Sequence, residues 1–150
     1  MMYSVTGAGP RVGTGWVMGK LHEAGLPVYW TKNLIVEGSS YDTHWNELPG
    51  LNNVIAKVWP PFLSKVDVSK MIVLRRNRKD QIASTIKQIR RERKAGFTVN
   101  DTPEQLIDRC EWFLKQQHIP TMEVRTEDLD DNIDKIIEWL SEPFELQRTG

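Results

Sequence analysis

The stretch GPRVGTGWVMGKL, Gly9 to Leu21, decides how the chain is read: glycines at 7, 9, 13 and 15 stand between an apolar run and a helical pattern. Glycine lets the backbone turn sharply and bring its N–H groups close to an anion, and a helix that starts there adds the positive end of its dipole. The spacing GxxxxGK[ST] that suits ATP is not met, because Thr14 and Gly15 follow Gly13 and the first lysine, Lys20, lies more than a turn into the helix. An anion is therefore expected at this turn, held without a lysine on its outer phosphate. Charge-assisted hydrogen bonds of this kind contribute roughly 1.5–3 kcal/mol each.

Working outward, MYSVTG reads as a strand ending at Gly7, and TGWVMGKLHEAG as a helix closed by Gly25. LPVYW is a second strand, and residues 31–52 form a polar, turn-rich excursion suited to substrate contacts. NVIAKVW is a third strand, stopped by Pro60 and Pro61, and KMIVLRR a fourth whose apolar centre suits a parallel strand covered on both faces. TMEVRTEDL is the fifth. Between Lys79 and Ala95, Ile82, Ile86 and Ile89 recur at helical spacing and are expected to face the core, with Ser84, Lys87 and Arg91 on another side. The next helix opens at Asp101 or Thr102 before Pro103 and Glu104, with Leu106, Ile107, Cys110, Phe113 and Leu114 as its apolar stripe. DNIDKIIEWL closes the pattern with Ile133, Ile136, Ile137 and Leu140 on one face. Strands alternating with helices predict an α/β fold, a single-domain parallel β-sheet flanked by helices. Ligands bind such sheets at the C-terminal ends of the strands, where the glycine turn and RRNRKD are both expected.

A length of 150 residues suits one domain, spanning 1–150, and 39% apolar with 27% charged residues argues against disorder and against a membrane protein. No apolar run approaches the roughly 20 residues that span a bilayer. MMYSVTGAGP has neither a basic n-region nor a long apolar h-region, so a cytoplasmic location is expected. Cys110 stands alone, can form no internal disulfide, has no neighbour at metal-ligand spacing and is expected inside a helix; no metal site is expected. The net charge is zero, yet ten of the twenty basic residues lie between Lys70 and Lys94. Such asymmetry is an anion site, a nucleic-acid face or two solvated helix faces of opposite sign.

The wider context narrows the anion. PRVGTGW, Pro10 to Trp16, resembles the 5′-phosphosulfate loop of the sulfotransferases, VLRRNRKDQIAST resembles their 3′-phosphate motif of a strand-end arginine and a serine eight positions on, and MEVRTEDL resembles their late strand. The resemblance implies a compact sulfotransferase-like member of the P-loop nucleotide-hydrolase fold group that binds 3′-phosphoadenosine 5′-phosphosulfate and releases 3′-phosphoadenosine 5′-phosphate. It implies a loop of Arg11, Val12, Gly13, Thr14, Gly15 and Trp16 around the 5′ end, and Arg76 with Ser84 around the 3′-phosphate. Arg11 then has an electrostatic role, since a guanidinium is a poor proton donor, and Lys57 neutralises the sulfonate.

One position departs from the pattern. Where cytosolic members carry a catalytic histidine after the third strand, this chain has Trp59, whose indole accepts no proton at neutral pH. Glu37 is the first candidate base, with His44 and Asp42 next, and the acceptor, which the sequence does not identify, is expected in an apolar cleft of Trp30, Tyr41, Trp45 and Trp59. Two other functions compete: a small P-loop kinase with Thr14 on magnesium, and a catalytically inactive nucleotide-binding or interaction module. Nucleic acid ranks below a nucleotide as a partner, with the basic 87–94 helix face as its surface.

Overall fold

The computed structural model describes residues 2–29 and 53–142. In chain order its elements are β1 (Met2–Gly7), α1 (Thr14–Glu23), β2 (Val28–Tyr29), β3 (Val54–Lys57), a 3-10 segment (Pro60–Lys65), β4 (Val68–Arg75), α2 (Arg78–Lys94), α3 (Pro103–Lys115), β5 (Thr121–Arg125), a 3-10 turn (Thr126–Asp128) and α4 (Leu129–Ser141). The strands form one sheet in the order β2-β3-β1-β4-β5, every neighbouring pair parallel. Glutamate and aspartate of the expected fifth strand coil instead into the 3-10 turn, so that strand stops at Arg125.

Strand β1 is central and buried throughout. Its period of two sends Tyr3 and Val5 to one face, where Ile55, Ile72, Leu74 and Val124 join them beneath Val17, Met18 and Leu21 of α1 and Ile136 and Leu140 of α4. Met2 goes to the other face with Ala56, Met71 and Val73, under Leu63 of the 3-10 segment and Leu114 of α3. Each fully buried aliphatic side chain contributes about 1.5–3 kcal/mol, so both faces hold the strand ends in place. Among the described residues no helix is long and apolar enough to cross a membrane.

Helix ends follow the sequence closely. Gly25, at φ +83°, ends α1 in a Schellman motif, with Leu26 N–H donating to Leu21 O at 3.1 Å and Gly25 N–H to His22 O at 3.0 Å. Thr102 caps α3 in a reciprocal box with Gln105, while Asp101 pairs with Arg109 instead.

Helix α2 departs from the expected face. Its buried residues are Gln81, Thr85 and Ile89, and Ile86 is 37% exposed. The reason is hydrogen bonding rather than hydropathy: Thr85 Oγ1 donates to Gln81 O at 2.7 Å, and the Gln81 amide donates to two carbonyls of the glycine loop. Buried polar groups that are satisfied in this way cost little, so the helix turns its amide edge inward to serve the loop.

Candidate functional site

At the C-terminal ends of the strands lies a cleft of about 440 Å³, bordered by Thr6 and Gly7 at the end of β1, Lys57 at the end of β3 with Val58 and Trp59 beyond it, Arg76 after β4 and Thr126 after β5. This is the edge where the sheet's connections diverge from β1, the usual ligand position in a parallel α/β sheet. The glycine loop closes one side of it through Gly9, Pro10, Arg11 and Gly13 to Trp16.

The loop is defined by where its carbonyls go. Gln81 Nε2 donates to Ala8 O at 3.2 Å and to Pro10 O at 2.9 Å, Arg76 Nη1 to Arg11 O at 3.1 Å, and Thr126 Oγ1 to Val12 O at 2.6 Å. Gly13 O accepts from Val17 N at 3.1 Å as α1 begins. Donors from four elements thus take up the loop's carbonyls. The N–H groups of Gly13, Thr14, Gly15 and Trp16 have no acceptor among the described residues, and α1 starts with neither a side-chain cap nor an acid in its first turn. Orphan donors at an uncapped helix start favour an anion.

Backbone geometry explains the residue choices. Residues 9, 11 and 13 have φ of +118°, +63° and +95°, so Arg11 holds a left-handed conformation that usually takes glycine. At Gly9 a Cβ would collide with Gln81 Nε2 and stand 3.0 Å from Ile107 Cγ1, whereas at Gly15 it would meet no atom within 4 Å. Packing therefore demands Gly9, while Gly15 leaves the cleft side of the helix start open.

Cys110 of α3 is fully buried. Burial pushes its thiol up to about 12, so it stays neutral through pH 9. Iodoacetamide at pH 8 is accordingly expected to leave the native protein unmodified and to label it on unfolding in urea; rapid labelling of the native chain would contradict this packing.

The cations divide by partner. Arg75 is ion-paired to Glu111 and Glu123 on the far side of β4, and Arg78 to Asp108, so of this basic run Arg76 alone borders the cleft among the described residues. Arg11 Nε donates to Ser84 Oγ at 3.1 Å. The two βα corners therefore meet: Arg76 holds the Arg11 carbonyl while the Arg11 side chain reaches Ser84 on α2. Ser84 adjoins the cleft through Arg11 rather than lining it. Val12 is 1% exposed, its side chain in the core and only its backbone at the loop. Thr14, Gly15, Trp16, Lys57 and Trp59 all border the cleft. Glu37, Asp42, His44, Trp30, Tyr41 and Trp45 lie outside the described residues. Among the described lining residues there are three cations, Arg11, Lys57 and Arg76, and no carboxylate.

Three residues that sequence reasoning passed over shape the site. Gln81 and Thr126 hold loop carbonyls, and Glu127 Oε1 accepts from Asn77 N at 2.8 Å beside Arg76. The Asn77 N–H, then its own backbone N–H and the neighbouring Arg125, hold the Glu127 carboxyl below the usual carboxylate range.

No protein-family model matches the chain, and no curated protein matches it in sequence. Its fold is similar to that of deoxyadenosine kinase from M. mycoides with bound dATP, at 14% identity and TM-score 0.56 over 94% of this chain and 100% of that one. It is similar also to the YorR protein of Bacillus subtilis in complex with phosphorylated GDP, at 15% identity and TM-score 0.53 over 100% and 99% of the two chains. A sulfotransferase domain from the curacin biosynthetic pathway matches at 14% identity and TM-score 0.54, over 96% of this chain and 74% of that one. At these identities the likeness is one of fold: a parallel five-stranded sheet flanked by helices, shared with a deoxyadenosine kinase, the YorR protein and a sulfotransferase domain.

Proposed function

We propose that the cleft binds an adenosine phosphorylated at both its 3′ and 5′ positions, and that the protein transfers a sulfonate from 3′-phosphoadenosine 5′-phosphosulfate to a hydroxyl or amine. The observation that carries this reading is the lining: the N–H groups at the uncapped start of α1 together with Arg11 and Arg76 from two different βα corners. Such a lining neutralises a highly charged donor with protein groups alone. The loop lacks the lysine that an ATP-binding loop carries straight after its last glycine, Thr14 and Gly15 following Gly13 instead, and that difference favours the sulfonate donor.

The donor set suits each end of the ligand. N–H groups of Gly13 to Trp16 would take the 5′-phosphate and Arg76 the 3′-phosphate, with the Ser84 hydroxyl reaching it from α2 on the far end of its bond to Arg11 Nε. In transfer, the acceptor oxygen or nitrogen bonds to sulfur as the bond from sulfur to the 5′-phosphate oxygen breaks, and the loop N–H groups and Lys57 stabilise the charge left on that oxygen. Arg11 joins the two corners electrostatically. The acceptor's proton passes to a base, for which Glu37 is the first candidate and His44 and Asp42 the next.

A second reading, a small P-loop kinase, is favoured by Thr14, whose side chain directly follows Gly13 at the cleft, and by the nucleotides that two structures of similar fold contain. Titration calorimetry separates the two. With EDTA present, 3′-phosphoadenosine 5′-phosphate is expected to bind about 10- to 150-fold more tightly than AMP, the equivalent of one charge-assisted contact of roughly 1.5–3 kcal/mol. Equal binding of the two would overturn the proposal, and tight ATP binding that requires magnesium would move the assignment to a kinase.

A further inference from the structure

We infer that Thr126 and Glu127, consecutive residues after β5, are positioning residues that fix the two anion-binding corners relative to each other. The Thr126 hydroxyl donates to Val12 O at 2.6 Å, across 114 positions of sequence, and so holds the glycine loop. The Glu127 carboxylate accepts from Asn77 N at 2.8 Å, and Asn77 is both the residue after Arg76 and the cap of α2, its side chain accepting from Lys79 N and Asp80 N. One bond thereby sets the direction of Arg76 and the start of the helix that carries Gln81 and Ser84.

Register explains why this pair of residues reaches both corners. Strands β4 and β5 run parallel with Arg75 opposite Arg125, so Arg76 and Asn77 leave the sheet beside Thr126 and Glu127. Main-chain pairing stops there and side chains continue it. Among the described residues no other donor meets Val12 O and no other acceptor meets Asn77 N. The second Glu127 oxygen lies 3.6 Å from Arg125 Nε in an exposed pair of the kind that contributes little. Arg76 Nη1 on Arg11 O completes a closed circuit from β5 to the loop, to β4 and back.

The inference rests on the nucleotide reading for its binding arm, and an exchange arm is independent of it. Four variants serve: Thr126→Val and Glu127→Ala remove the bonds, while Thr126→Ser and Glu127→Gln retain a hydroxyl donor and a carbonyl acceptor. By NMR, amide exchange at Asn77 is expected to accelerate at least tenfold in Glu127→Ala and to stay within threefold of wild type in Glu127→Gln. By calorimetry, Glu127→Ala is expected to weaken 3′-phosphoadenosine 5′-phosphate about tenfold with AMP within twofold, and Thr126→Val to weaken both by a similar factor. The serine and glutamine variants restore binding to within threefold. A wild-type protein that fails to discriminate the two ligands removes the nucleotide reading, and the Asn77 exchange rates then decide the inference alone. Unchanged exchange in Glu127→Ala, or exchange equally fast in Glu127→Ala and Glu127→Gln, overturns it. Where the wild type does discriminate, equal loss of both ligands in Glu127→Ala also overturns it.

Discussion

Arg76→Ala is expected to lower affinity for 3′-phosphoadenosine 5′-phosphate by about 10- to 150-fold and affinity for AMP by no more than about threefold. The larger figure is the loss of one charge-assisted contact of roughly 1.5–3 kcal/mol at about 1.4 kcal/mol per decade. The smaller one reflects the bond from Arg76 to Arg11 O, which lies at the exposed surface, where water replaces the lost donor. Arg76→Lys keeps the charge but not the fork and should fall between. The comparison is made by calorimetry on both ligands in the same buffer. An equal loss for the two would mean that Arg76 serves only the loop, and the 3′-phosphate assignment would fail.

Gly9→Ala is expected to cost about 2–5 kcal/mol of folding stability, which at roughly 2–4 °C per kcal/mol for a chain of this size lowers the melting temperature by about 4–20 °C. Two effects combine. Alanine is strained at φ +118°, and its Cβ would displace the Gln81 amide that binds Ala8 O and Pro10 O while pressing on Ile107. Gly15→Ala is the control, since open space surrounds that position and alanine favours a helix. Thermal unfolding that treats both substitutions alike would contradict the loop's described packing.

Much of this architecture is written locally in the chain. The apolar run before Gly7, the turn residues after it and the Gly25 stop define β1, the loop and α1 without reference to distant residues, and Thr102-Pro103 with Gln105 does the same for the start of α3. Helix α2 is different. Ile82, Ile86 and Ile89 form a pattern indistinguishable from a core stripe, and only the loop carbonyls 71 and 73 positions away explain why Gln81 and Thr85 are inside.

The candidate site shows the same division. Arg75 and Arg76 are equivalent in sequence, and their roles separate only when Glu111 and Glu123 engage the first and leave the second at the cleft. Thr126 has no local signal for its bond to Val12, because the partner comes from the opposite end of the chain. The glutamate in the fifth-strand motif was legible as a residue but not as an acceptor for Asn77, since that role depends on how β4 and β5 end side by side.

In the proposed complex, protein donors take up the loop's carbonyls while its N–H groups and Arg76 meet opposite ends of one nucleotide. Crystallography of the protein with 3′-phosphoadenosine 5′-phosphate tests it most directly. The 5′-phosphate is expected within hydrogen-bond distance of the Gly13 to Trp16 N–H groups and the 3′-phosphate against Arg76 and Ser84. A nucleotide bound with its 3′-phosphate in solvent, or a loop whose carbonyls have turned into the cleft, would contradict it.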